Sequence, residues 1–273
     1  MKKKLTFVLF MLSASVVAHT QKRIVVITAS YNNQSYCKDM LKSIFFQEYE
    51  NWHLIYVDDC SADQTSEIVK ALTQEYGQED RVTLIRNESH LGSAIANQYR
   101  AIHMCNDSDI IVIVDGDDRL AHQQVFAYLD EVYADPNIWL TYGQFRSHPS
   151  GSIGFCCPIP QSVIANNSFR EYAHIPSHLR TFYAGLFKKI KKEDFMYEGA
   201  FFLMTGDMAA MVPMIEMARE HFRFIDNVLL IYNEANPLND HKISVDMQRS
   251  VDRIIRSRPR YEKLEALFAP THE

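Results

Sequence analysis

The chain has 273 residues, 47% of them hydrophobic and 23% charged, which suits one large α/β domain or two small ones. A formal net charge of −6 speaks against non-specific nucleic-acid binding as the main task. The five cysteines lack metal-site spacing, and buried free thiols are their default state.

Met1-Lys2-Lys3-Lys4 is a positive start, and Leu5 to Ala18 is apolar apart from Thr6, Ser13 and Ser15. Val16-Val17-Ala18 offers a cleavage site. Residues 1–18 therefore read as a secretory signal peptide or an uncleaved anchor, too short for a comfortable membrane span. Either would place the remainder outside the cytosol, in a periplasm, an endomembrane lumen or the medium. The protein stays cytoplasmic if the segment is not a working signal. Residues 23–273 read as a single domain.

Strands and helices then alternate. Ile24 to Ala29 is a strand, Tyr36 to Phe46 a helix with Met40, Leu41, Ile44 and Phe45 on one face, and Trp52 to Val57 a strand ending in Asp58-Asp59. Ser61 or Asp63 could cap the next helix, whose inward face is Ile68, Val69 and Leu72. Val82 to Arg86 is a strand, Ser93 to Cys105 a helix and Ile110 to Val114 a strand. Such alternation implies parallel strands with helical crossovers, hence a three-layer α/β sandwich. After a helix over Gln123 to Tyr133, Trp139 to Phe145 is a strand. Residues 146–180 are irregular, as in a lid or binding loop. A helix from Met204 to His221, a strand from Phe224 to Tyr232, a polar stretch and a helical tail from Val245 to Phe268 complete the chain.

The fourth strand carries the chemistry. Five β-branched residues (Ile110 to Val114) suit a strand buried on both faces, so Asp115, Asp117 and Asp118 must emerge at its carboxyl end. Gly116 keeps that corner slim for a ligand to approach. Crowded carboxylates suit Mg²⁺ or Mn²⁺, and with it a diphosphate. An ordinary turn has about equal claim on the local sequence alone.

Several stretches follow one another in a set order: Thr28-Ala29-Ser30-Tyr31-Asn32, Val57-Asp58-Asp59-Cys60-Ser61-Ala62-Asp63, Arg86-Asn87 with Leu91 to Asn97, Asp115-Gly116-Asp117-Asp118, and Met204-Thr205-Gly206-Asp207. Over roughly residues 23 to 245 they resemble the inverting glycosyltransferases of family 2. The resemblance implies a GT-A fold, an α/β/α sandwich with a mostly parallel central sheet. It makes Thr28, Ser30 and Tyr31 nucleotide-facing and Asp59 the acceptor of the uracil N3–H. Asp58 would be structural or lie near the base. Asn87, Gly92 and Asn97 would sit beside the nucleotide, where the helix end at Ser93 also favours an anion. Asp115-Gly116-Asp117 matches the D-x-D metal motif. Asp115 would touch ribose or metal, and Asp117 the metal and the diphosphate, with Asp118 in support. His241 would complete the metal site, Lys242 could offset phosphate charge, and Arg180 could reach a phosphate or the acceptor.

Asp207 would be the catalytic base, with Gly206 standing where the family often has Glu. On local sequence alone, Asp207 reads as a helix cap and His241 as a surface residue. The implied reaction moves one sugar from a nucleotide-sugar, UDP-linked by preference, to a hydroxyl of a glycan, lipid or protein. The Q-x-x-R-W signature is absent and no transmembrane bundle follows, which argues against processive polymer synthesis. The alternatives are a catalytically silent carbohydrate-binding or secreted interaction module and, ranked lower, a nucleotidyltransferase. The latter normally has a Gly-rich loop after its first strand, whereas Thr28 to Gln34 contains no glycine.

Overall fold

The computed structural model describes residues 21–173 and 176–268, without the side chains of Asp240 and His241. The expected signal, 1–18, lies outside the described residues. The first half follows the expected rhythm: β1 (Ile24–Ser30), α1 (Cys37–Phe45), β2 (Trp52–Asp58), α2 (Thr65–Glu75), β3 (Val82–Arg86), α3 (Ala94–Ile102) and β4 (Ile110–Ile113). β5 (Arg119–Leu120) and α4 (Val125–Tyr133) precede the long strand β6 (Leu140–His148). The second half holds α5 (Gln161–Ala165), β7 (Arg180–Tyr183), α6 (Ala184–Phe187), the ribbon β8 (Met196–Tyr197) and β9 (Ala200–Phe201), α7 (Gly206–Ala218), β10 (Phe222–Asn233), α8 (Asp240–Ile243) and α9 (Val245–Ser257).

Eight strands form one sheet in the order β3-β2-β1-β4-β7-β6-β10-β5. Four of its seven pairings are parallel: β1 with β2, β1 with β4, β2 with β3, and β6 with β10. The other three are antiparallel, two of them made by β7 with β4 and β6 and one by β5 with β10. Ile24 pairs with Trp52 on one side and with Ile110 on the other. β1, β2 and β4 thus end at one edge and deliver Ser30, Asp58 and Val114 together. β4 is buried throughout, as its run of β-branched residues requires. α1 packs on α2, while α7 gathers α3, α6 and α9.

Three elements depart from the sequence expectation. β7 arises within a stretch read as irregular. Its four residues are all buried, and β4 and β6 flank it, so neighbours rather than local pattern make it a strand. Residues 146–180 hold the end of β6 and the helix α5. α9 stops at Ser257, and residues 258–268 run on without a helix. That last segment is pinned by the Tyr261 N–H to Glu216 Oε2 (3.0 Å) and the Leu264 N–H to the Met217 carbonyl (2.9 Å). Glu216 is fully buried and bonded by Arg170 Nε (2.6 Å) and Nη2 (2.7 Å).

Candidate active site

A cleft of about 610 Å³ opens at the strand ends, lined among others by Ser30, Tyr31, Asp59, His90, Gly92, Asn97, Asp115, Gly116, Asp117, Arg180 and Asp207. It is the expected place for a ligand in an α/β sheet.

The two aspartates after β2 take different tasks. Asp58 is fully buried; Ser66 Oγ (2.6 Å) and Ser61 Oγ donate to its carboxylate. It braces the turn into α2. Asp59 faces the cleft with its carboxylate fully engaged. Asn87 Nδ2 (2.6 Å) and the Leu91 N–H (3.0 Å) reach Oδ1; the Gly92 N–H (2.9 Å) and His90 Nδ1 (3.0 Å) reach Oδ2. Burial pushes this carboxyl up, but the bonds from Leu91, Asn87, Gly92 and Asn97 outweigh it and hold it below the usual value. Gly92 needs its positive φ of 67° to turn its N–H there. The His90 ring also stacks on Tyr31, centroids 3.9 Å apart.

The acidic corner follows β4. Asp117 Oδ2 accepts from Asn236 Nδ2 (2.6 Å). Burial raises its pKa to about 6, against the Asn236 bond and helped by the charge of Asp115. Asp118 Oδ1 accepts the Asn233 N–H (2.7 Å), tying β10 to the corner. Burial lifts the Asp118 carboxyl well above the carboxylate range, and the charges of Asp117 and Asp115 add to that. One donor atom each from Asp115, Asp118 and His178 lie within 4.8 Å of one another. His178 is held neutral, chiefly by burial and further by Arg180. A β-carbon on Gly116 would lie 2.5 Å from Ser30 Oγ and 2.6 Å from Asn33 Nδ2. Close packing on β1, rather than room for a ligand alone, therefore demands glycine there.

Opposite this corner, Thr205 in the left-handed region (φ 61°) starts α7 and presents Asp207. Arg180, on β7, donates from Nη1 to Asp207 Oδ2 (2.8 Å), and its Nη2 lies 3.5 Å from Asp115 Oδ2. Desolvation raises the Asp115 pKa; Arg180 works against this and Asp207 adds to it.

Some expected residues fall elsewhere. Thr28 is fully buried and does not line the cleft; it lies one pair deeper in the sheet than Ser30 on the same face. Asn87 is buried behind Asp59 and braces it. Neither Ser61 nor Asp63 occupies the cap position of α2, although Asp63 Oδ1 accepts the Thr65 N–H (3.0 Å). Lys242 Nζ bonds the carbonyls of Glu234 and Asn236 in its own loop. The His241 side chain lies outside the described residues. His90, Asp118, His178 and Asn236 received little or no weight from the sequence. His178 lies two residues before β7 begins at Arg180, in the stretch read as irregular, so no strand pattern pointed to it.

Comparison with known proteins adds a family resemblance over part of the chain and a fold. The profile of the family described as glycosyl transferase family 2 matches residues 25–153. Glycosyltransferase GlyG of Streptococcus pneumoniae is 29% identical over 179 residues, 62% of this chain and 57% of that protein. The chain also spans only 35% of the Bacillus subtilis glycosyltransferase named for teichuronic acid biosynthesis, TuaG, which is 33% identical over 95 residues, 34% of this chain. The crystal structure of S. aureus TarS in complex with UDP-GlcNAc superposes with a TM-score of 0.58 at 16% identity, covering 85% of this chain and 65% of that one. At that identity the likeness establishes the fold, the GT-A type of α/β sandwich.

Proposed function

We propose that the chain is a family 2 glycosyltransferase that moves a single sugar from a nucleotide diphosphosugar to an acceptor hydroxyl, inverting the anomeric centre, a reading supported by the family 2 profile over residues 25–153. One observation carries this reading: carboxylates from the ends of β2 and β4 and from the start of α7 face a single cleft. TarS has been crystallised with UDP-GlcNAc and a mannosyltransferase of Pyrobaculum calidifontis with GDP-Man and Mn²⁺, which supports a nucleotide-sugar donor. UDP is our preferred nucleotide.

In this reading Tyr31 offers a ring face to the base and Asp59 accepts its imide N–H. Arg180 directs positive charge toward the diphosphate. The acceptor oxygen bonds to the anomeric carbon as the bond from that carbon to the diphosphate oxygen breaks. Asp207 takes the hydroxyl proton. Its Oδ1 accepts the Met208 N–H (2.8 Å) and its Oδ2 the Arg180 bond, which leaves lone pairs for the substrate. The carboxylates of the β4 corner suit a divalent cation, Mn²⁺ or Mg²⁺, which when bound stabilises the departing diphosphate. Buried Asp118 Oδ2 and His178 Nδ1, without hydrogen-bond partners among the described residues, fit such an ion.

Titration calorimetry with UDP, with and without Mn²⁺, tests the donor site. NMR of the product formed from an α-linked UDP-sugar should show the β anomer. Retention, or no nucleotide bound from a UDP, GDP, CMP and TDP panel, would overturn the proposal. Residues 1–18 are proposed to export or anchor the chain, and fractionation of a tagged full-length protein tests that. Among the described residues no helix is long and apolar enough to cross a membrane.

A further inference from the structure

We propose that the cleft has a side pouch, behind Arg180 and Asp207, which takes the acetamido group of an N-acetylated sugar, with Gln98 and Thr205 as its hydrogen-bonding partners. The inference rests on the transferase reading for the sugar that carries the group, while the pouch itself stands on geometry.

Four buried side chains wall the pouch. Phe182 follows Arg180 by two residues along β7, so both project from the same face of the sheet. Phe187 of α6 stacks on Phe182 with ring centroids 5.7 Å apart. Met211 lies one turn beyond Asp207 on α7, and Phe202 is held where its carbonyl accepts the Ser93 hydroxyl (2.7 Å). These four are between 1% and 4% exposed, yet all of them line the cleft together with Gln98 and Thr205. α3 forms the remaining side: Gln98 is one turn on from Ile95, the residue packed against Gly206.

Two polar groups at this depth have nothing to bond. Thr205 is 6% exposed and its Oγ1 has no hydrogen-bond partner among the described residues. Gln98 is 9% exposed, and its side-chain amide makes no hydrogen bond among them either. Asn97 beside it gives the contrast, since its Oδ1 accepts from Asn87 Nδ2 (2.8 Å). Buried polar groups left unsatisfied are costly, so something from outside the chain should meet these two. Their chemistry selects the ligand. A bare array of sugar hydroxyls needs many polar partners, and here two stand among three phenylalanines and a methionine. An acetamido group matches: its methyl suits the apolar wall, and its N–H and carbonyl pair with a side-chain amide that both accepts and donates. The Thr205 hydroxyl can take either part. A charged substituent does not match, because Arg180 is the one arginine or lysine among the described residues lining the cleft, and Asp207 already holds it.

The test begins with the full, unmutated chain, so it does not depend on a variant folding. One arm titrates it by calorimetry, with Mn²⁺ present, against UDP-glucose and UDP-N-acetylglucosamine. The other adds methyl β-glucoside or methyl N-acetyl-β-glucosaminide, with and without UDP, and follows binding by saturation-transfer difference NMR, where the acetyl methyl reports its own contact with the protein. We expect the N-acetylated ligand to bind about tenfold tighter in one arm, the worth of one or two hydrogen bonds. A preference in the first arm assigns the acetamido group to the donor, and one in the second arm assigns it to the acceptor. Gln98→Leu, similar in size but without the amide, should bring the paired ligands to within about twofold of each other. Equal affinities in both arms, or a preference that survives Gln98→Leu, would overturn the inference and leave the pouch to water. UDP binding without preference in either arm would sink the pouch and leave the transferase reading standing. Preference for the N-acetylated glycoside in a chain that binds no nucleotide would do the reverse.

Discussion

Arg180 donates to Asp207 across 2.8 Å, joining a buried residue of β7 to the first turn of α7. The same guanidinium lies 3.5 Å from Asp115, so one cation separates two carboxylates on facing walls of the cleft. Arg180→Ala leaves both acids without their counter-charge, and the lost charged hydrogen bond costs about 1.5 to 3 kcal/mol. Under the proposed mechanism turnover should fall on the order of tenfold to a hundredfold, because the proposed base Asp207 loses its orientation and the diphosphate a donor. Arg180→Lys keeps the charge but not the fork, and should recover stability more than rate. Denaturant melts beside initial rates separate the two effects; equal rates in all three proteins would remove Arg180 from the reaction.

Asp59 gives a pH signature. Its folded pKa lies below the ordinary aspartate value of 3.8, so its stabilisation is fully present above that value and disappears as pH falls through the lower folded one. Asp59→Asn turns an amide toward the Gly92 N–H and should cost about 2 to 3 kcal/mol near neutrality. That gap should close as pH drops below about 4. Urea melts of both proteins across this range measure it, and a gap independent of pH would mean that charge plays no part.

His90 stacks on Tyr31 and reaches Asp59, the pair of contacts proposed for the base. A bound base must therefore displace it. His90→Ala should tighten UDP binding by about the 0.5 to 1.5 kcal/mol of a stacked pair, with little change in stability, as the ring is 44% exposed. Tyr31→Ala should weaken binding by about 1 to 3 kcal/mol. Calorimetry decides, and weaker binding in His90→Ala would make that ring part of the site.

The parallel half of the fold was readable because its signals are local. Ile110 to Val114 and Ile24 to Ala29 are apolar runs, and acids can follow such runs only at their ends. β7 was not readable: Arg180-Thr181-Phe182-Tyr183 has no strand pattern strong enough to stand without β4 and β6 on either side. With β7 missing, His178 had no position and Asp118 no neighbour. The tail misled for a related reason. Arg258 to Phe268 is held by Glu216 and Met217 of α7, contacts that a periodicity does not encode. Arg180 was singled out without its strand, so its reach to Asp207 came only with the structure.

Gly206 occupies the position where the resemblance calls for a glutamate, and the packing of α7 on α3 gives the reason. A β-carbon there would stand 2.6 Å from Ile95 Cβ, and Ile95 is buried at 1% exposure. Neither partner is a flexible chain end, so a backbone must shift. Gly206→Ala should destabilise by about 1 to 3 kcal/mol, against the helix preference for alanine, which is worth about 1 kcal/mol the other way. Because Asp207 is the next residue, the same shift should lower kcat more than it raises KM for the donor. Ile95→Ala, itself costly through a cavity, should remove most of the Gly206→Ala penalty in the double variant, a coupling of about 1 to 2 kcal/mol. A double-mutant cycle by denaturant melts supplies the number. Additive losses would mean that Gly206 is required for some other reason, and that the departure from glutamate does not come from the contact between α3 and α7.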